Sequence, residues 1–128
     1  MKKILLFATL LLLTACQETL EDRCARECKE YTQKKCPVLV TRGVTLDSMT
    51  FDKSQLLMTY YYTVSGILDD AEALRENNAS SLLLKELKNT AALKLYKDAG
   101  YNFRYIYHSS KEKGTRVLET TFRKKDYQ

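Results

Sequence analysis

The chain has no tryptophan, one proline, one histidine and four scattered glycines in 128 residues. Each scarcity excludes something. Four dispersed glycines cannot build a glycine-rich loop that cradles phosphate. His108 stands alone, so no pair of imidazoles can hold a metal, and no cysteine–histidine nucleophile pair suggests itself. Beyond the N-terminus no apolar run approaches the about 20 residues a membrane-spanning helix needs. Few turn-forming residues beside nine tyrosines point to a small number of long elements and a sheet with aromatic faces. At 45% hydrophobic and 29% charged residues the composition is that of one globular domain.

The N-terminus carries the plainest pattern. Lys2 and Lys3 precede an apolar run, Ile4 to Leu13, which is the layout of a secretion signal. Leu13-Thr14-Ala15-Cys16 at its end resembles a lipobox, the motif cut by lipoprotein signal peptidase. The resemblance implies that residues 1–15 are removed and that Cys16 takes a diacylglycerol, with a further acyl chain on its new amino group. Several chains make a stable membrane anchor where a single one binds only marginally. Loss of Lys2 and Lys3 leaves 19 of the 21 basic residues against 16 acidic ones, a net of +3. That is an ordinary solvated surface and gives no nucleic-acid footprint.

Residues 16–36 then read as the lipidated cysteine, a polar acidic stretch and a short polar helix over Glu21 to Lys35, closed by Pro37. The stretch Gln17 to Asp22 loosely resembles the acidic export tags of some surface lipoproteins. With Cys16 used by lipid, Cys24, Cys28 and Cys36 remain, an odd number for an oxidising compartment. A bridge from Cys36 to Cys24 or Cys28 is expected, with the third thiol free or joined to another chain. The spacings of four and eight lack the paired pattern of zinc sites.

Residues 37–128 form the expected domain. Thr45 to Phe51 and Gln55 to Val64 alternate as two strands around the turn Asp52-Lys53-Ser54. A helical region follows, from Ala71 to Glu76 and, after Asn77-Asn78, on to Ala99. Leu83, Leu87, Ala91, Leu95 and Ala99 recur every four residues as one apolar stripe, and Gly100 stands where a left-handed C-cap belongs. Tyr101 to His108 and Arg116 to Phe122 alternate as a second hairpin. The expected fold is α+β: a four-stranded antiparallel sheet in strand-strand-helix-strand-strand order, with the helical segment on one face and a short helix before it. The carboxylates Asp69, Asp70 and Glu72 sit at a helix start, where capping and the helix dipole account for them.

The stretches Thr59 to Gly66, Leu93 to Gly100 and Tyr101 to Tyr107 resemble a group of small uncharacterised lipoproteins of gut anaerobic bacteria. That resemblance spans about residues 37–127 and implies an envelope location, the outer membrane first, without implying an activity. Asp47-Ser48-Met49 also resembles the short O-glycosylation motif of such bacteria, with Ser48 as acceptor. One helix covers one face of a sheet, so the other face is expected to present Tyr61, Arg104 and Ile106 to a partner, tyrosine and arginine being common interface anchors. The reading is a lipid-anchored, non-catalytic binding, assembly or inhibitor module that holds another envelope protein and needs no cofactor or metal. A small envelope hydrolase is the alternative, and it would require two titratable groups converging in a cleft.

Overall fold

The computed structural model describes residues 17–128. Helix α1 spans Leu20–Lys35. Thr19 caps it by accepting the Asp22 backbone N–H at 3.0 Å, and Glu21, Asp22, Lys34 and Lys35 place charge to suit the helix dipole. Ion pairs Arg23–Glu27 and Arg26–Glu30 join successive turns of its outer face. Its inner face carries Cys24 and Cys28, both fully buried in the hydrophobic core. The segment read from sequence as a tether is therefore the first packed element of the domain. Two small cysteines four residues apart let the helix lie close on the sheet, a seam too narrow to register as an amphipathic stripe.

Five strands follow the order β1-β2-β3-β4-β5 in space: β1 Val38–Thr41, β2 Val44–Asp52, β3 Leu57–Val64, β4 Asn102–Ser109 and β5 Arg116–Phe122. Neighbours are antiparallel except β3 and β4, which run parallel. Two expectations are corrected here: the sheet has five strands, not four, and it is mixed. Strand β1 is only four residues long and holds an irregular register with β2, so no alternation marked it. The parallel pairing follows from the long helical connection between β3 and β4, which returns the chain to the end where β3 began.

Gly43 makes the β1–β2 turn. Its φ is +78°, and an added Cβ would stand 3.0 Å from the Ser65 carbonyl oxygen, so only glycine fits without displacement. The connection from β3 runs through a 3-10 turn at Gly66–Leu68, helix α2 at Ala71–Glu76 and helix α3 at Ala79–Asn89. Asp70 caps α2 by accepting from the Glu72 N–H, and Asn78 takes the left-handed conformation between the two helices.

The apolar stripe expected to run unbroken to Ala99 stops at Thr90. A 3-10 turn at Ala91–Leu93 and the short helix α4 at Lys94–Asp98 follow. The break rotates the helical face: Tyr96 turns inward, and Leu95, expected in the core, is 52% exposed. Lys97 fixes the break by donating from Nζ to the carbonyls of Leu87, Lys88 and Thr90, which the helix end leaves unpaired. A last turn, α5 at Lys124–Tyr127, seats Tyr127, whose hydroxyl donates to the Tyr101 carbonyl at 2.9 Å.

The core lies between one sheet face and the helices. Tyr60 stacks on Tyr105 with ring centroids 5.1 Å apart, Tyr62 meets Tyr107 edge-on at 5.0 Å, and Phe51 stacks on Tyr101 at 5.2 Å. The first two pairs sit on neighbouring strands β3 and β4 and point to the same side, as period-two alternation requires. Thr32 of α1 both donates to the Met49 carbonyl (3.2 Å) and accepts the Met49 N–H (2.9 Å). It thus serves the backbone of β2 beyond the point where β1 stops pairing with it.

Candidate functional site

The uncovered sheet face is the first place to look, since sequence points there. Residues alternating out from the core place Thr45, Ser48 and Thr50 of β2, Thr59, Tyr61 and Thr63 of β3, Arg104, Ile106 and His108 of β4, and Glu119 and Thr121 of β5 on it. It is a hydroxyl-rich surface whose one tyrosine, Tyr61, stacks nearly parallel on His108 at 6.4 Å. The aromatic rows expected on both faces are gathered on the covered one.

Tyr61 and Arg104 are half-buried there. Arg104 donates from Nε to Thr59 Oγ1 at 3.2 Å, which orients its guanidinium. Ile106, expected as an exposed contact, is 1% exposed. It lies at the sheet centre, opposite Tyr61 on one side and Glu119 on the other, and the longer side chains around it close over it. Ser48 is half-buried opposite Tyr61, and its neighbour Asp47 accepts the Thr63 hydroxyl at 2.6 Å.

The cysteines fall differently from the expected bridge. Cys24, Cys28 and Cys36 are free thiols. Continuous helix from Leu20 to Lys35 separates Cys36 from Cys28 by about 12 Å of rise, beyond the about 7 Å limit between bridged Cα atoms. Cys24 and Cys28 instead contact each other inside the core. The Cys24 thiol is pushed up by its hydrogen bond with Cys28 and then by burial, so it stays protonated. Cys16 lies outside the described residues.

Among the described residues no group of three or more His, Cys, Asp or Glu could hold a metal ion. Asp69 is buried and holds the β4–β5 loop: its Oδ2 accepts from Ser110 N, Ser110 Oγ and Lys111 N, while Oδ1 has no partner. Its carboxyl is kept below the usual carboxylate range, first by the Ser109 hydroxyl beside it, then by the Lys111 N–H and Ser110. That is loop anchoring rather than acid–base chemistry.

Exposed apolar surface collects elsewhere. Leu39 (67% exposed), Val40 (49%), Ile67 (87%) and Leu82 (57%) surround the β1–β2 turn. Between this turn and α3 runs an apolar groove of about 210 Å³, walled by Thr41, Val44, Leu74, Leu82, Leu83 and Tyr107. A second cleft beside it is bounded by Arg42, Gly43 and Ser65 to Leu68. Sequence reasoning missed this surface because its residues come from four distant segments, none with a helical or strand period of its own.

The groove has a fixed relation to the chain's entry point. The ion pair of Asp22 with Lys53 holds the start of α1 at the β2–β3 turn. The groove lies at the opposite end of β2, whose nine residues span about 30 Å. One end of the domain therefore holds the start of α1 and the other carries the apolar groove.

A family model described as a domain of unknown function, DUF8479, matches residues 19–118. No curated protein matches the chain. Among solved structures, a Pseudomonas aeruginosa protein provisionally described as secreted shares the fold with a TM-score of 0.65 at 14% identity, covering 88% of this chain and 100% of its own. The pilotin EpsS of the Vibrio vulnificus type 2 secretion system is similar with a TM-score of 0.64 at 12% identity, covering 85% of this chain and 92% of its own. At such identities the likeness is one of fold.

Proposed function

The chain belongs to the DUF8479 family, and from that footing we propose that it is a lipid-anchored, non-catalytic module of the cell envelope that binds another envelope protein. Cys16 carries the lipid, at the outer membrane. The partner docks an apolar segment in the groove beside the β1–β2 turn, about 30 Å from the anchored end. The observation that carries the reading is the walled groove lined by Val44, Leu68, Leu74, Leu82 and Leu83, with Leu82 exposed in its wall and Ile67 exposed at the adjoining cleft, since exposed apolar surface of this kind marks binding sites. The fold shared with a type 2 secretion pilotin and a Pseudomonas protein described as secreted supports an envelope role.

Photo-crosslinking in living cells tests this. A photoreactive residue in place of Leu82, or of Ile67 at the adjoining cleft, should give one discrete adduct with an envelope protein, and the same residue in place of Leu95 should give none. Adducts at Leu95 alone, or at no position, contradict the groove. Labelling with a palmitate analogue tests the anchor separately: wild type should be marked and Cys16→Ala should not.

A further inference from the structure

The end of the domain that holds the start of α1 carries a pocket distinct from the apolar groove. Gln55 and Leu57 of the β2–β3 turn, Asn102 and Arg104 of β4, and Thr121 and Arg123 at the end of β5 line a cavity of about 420 Å³ that opens on the uncovered face. Two arginines thus enter one polar pocket. Arg104 is oriented by Thr59, and the Arg123 backbone N–H is fixed on Asp126 Oδ2 at 2.8 Å. The floor is set as well: Asn102 Nδ2 donates to the Gln55 carbonyl at 2.9 Å.

Neither arginine has a carboxylate partner among the described residues, although carboxylates are close at hand. Most of those are otherwise engaged. Asp22 pairs with Lys53, Glu18 with Arg26, and Asp126 caps α5. Asp52 accepts from both the N–H and the hydroxyl of Ser54. Its carboxyl is lowered first by that hydroxyl, and the Arg104 charge is the smallest of the influences on it. Lys124 and Lys125 follow Arg123 directly and are exposed.

The position gives the pocket its ligand. Helix α1 begins at this same end, at Leu20, four residues after Cys16 in the sequence. We propose that the Arg104–Arg123 pocket binds the phosphate of an anionic phospholipid headgroup in the membrane that holds the anchor, and so fixes how the domain stands on it. This inference rests on the lipid anchor at Cys16. Two guanidiniums and an amide suit a phosphate diester, since arginine presents paired donors to its oxygens. The bound headgroup turns the β2–β3 end toward the bilayer and leaves the apolar groove facing away from it.

The test uses the lipidated chain purified from membranes, with acylation of Cys16 confirmed by mass spectrometry. It is reconstituted in nanodiscs of phosphatidylcholine alone and of phosphatidylcholine with phosphatidylglycerol. The Arg104 Nε–H resonance should shift only where phosphatidylglycerol is present. Each basic residue near an anionic surface contributes roughly a fivefold factor, so Arg104→Gln with Arg123→Gln should weaken the apparent affinity for phosphatidylglycerol about thirtyfold. If Arg104→Gln lowers stability, Arg123→Gln alone, at an exposed side chain, should still give about a fivefold loss. Inorganic phosphate added to the phosphatidylcholine discs separates the sources: the same shift at equal concentration means a soluble phosphate ligand and overturns the lipid assignment. No shift in any arm overturns the pocket itself. An unacylated Cys16 refutes the anchor and the lipid source together, while the phosphate titration still reads the pocket.

Discussion

Leucine 87 and leucine 95 should part company on truncation. In an unbroken helix to Ala99 they would share one stripe and lose similar stability. In the structure Leu87 is 1% exposed within the core cluster, whereas Leu95 is 52% exposed on α4. A buried leucine cut to alanine loses its transfer energy and leaves a cavity, together about 2–5 kcal/mol. Full burial of a leucine is worth about 1.5–3 kcal/mol, so a half-exposed one with no closed cavity behind it should lose about 1 kcal/mol or less. Urea unfolding of the two single variants reads the difference as a fall in midpoint at constant slope. Leu87→Ala should fall well below wild type and Leu95→Ala should stay near it. Equal losses would refute the break at Thr90, and with it the inward turn of Tyr96.

Three other outcomes follow from single contacts. Thr32→Val removes both bonds to the Met49 backbone and leaves that amide unpaired beside α1, so stability in urea should drop by about 1–3 kcal/mol, and an unchanged midpoint would contradict the pairing. The Asp69 carboxyl has a folded pKa below its unfolded value of about 3.9, so its stabilising contribution is complete above that pH and is lost as the pH falls through the folded value. Asp69→Asn should therefore be less stable than wild type at neutral pH and flatter below about pH 4, and an identical acid profile for both proteins would show that another group is responsible. A thiol reagent should modify Cys36 in the native protein and reach Cys24 and Cys28 only on unfolding, with mass spectrometry assigning each site; native modification of Cys24 would contradict its burial in the core.

The two hairpins were legible because their alternation has a period of two, and β2 with β3 and β4 with β5 pair as expected. The tyrosines of β3 and β4 face each other for the same reason. Strand β1 was not legible: Val38 to Thr41 is short, its exposed residues are apolar, and its pairing depends on Gly43 fitting under Ser65. The parallel join of β3 to β4 has no local signal, since the length of the connection decides it. The stripe from Leu83 to Ala99 was real as a pattern and lost to tertiary contacts, namely burial of Tyr96 and three carbonyls satisfied by Lys97. Of the site residues, Tyr61 and Arg104 lie on the uncovered face as periodicity predicts. Burial of Ile106 comes from neighbours on two other strands, which no single stretch of sequence reveals. The apolar groove joins Val44, Leu68, Leu74, Leu82 and Tyr107, and only the fold brings them together.

The central claim is that the groove beside the β1–β2 turn is the docking surface for an envelope protein. Its most direct measurement is the affinity of the crosslinked partner for wild type and for Leu82→Asp. Leu82 is exposed and lines the groove, so a charge there should leave the urea midpoint unchanged. It should weaken partner binding by at least about tenfold, or about 1.4 kcal/mol. Unchanged affinity for Leu82→Asp, with Tyr61→Ala weakening it instead, would move the interface to the uncovered sheet face and contradict the account.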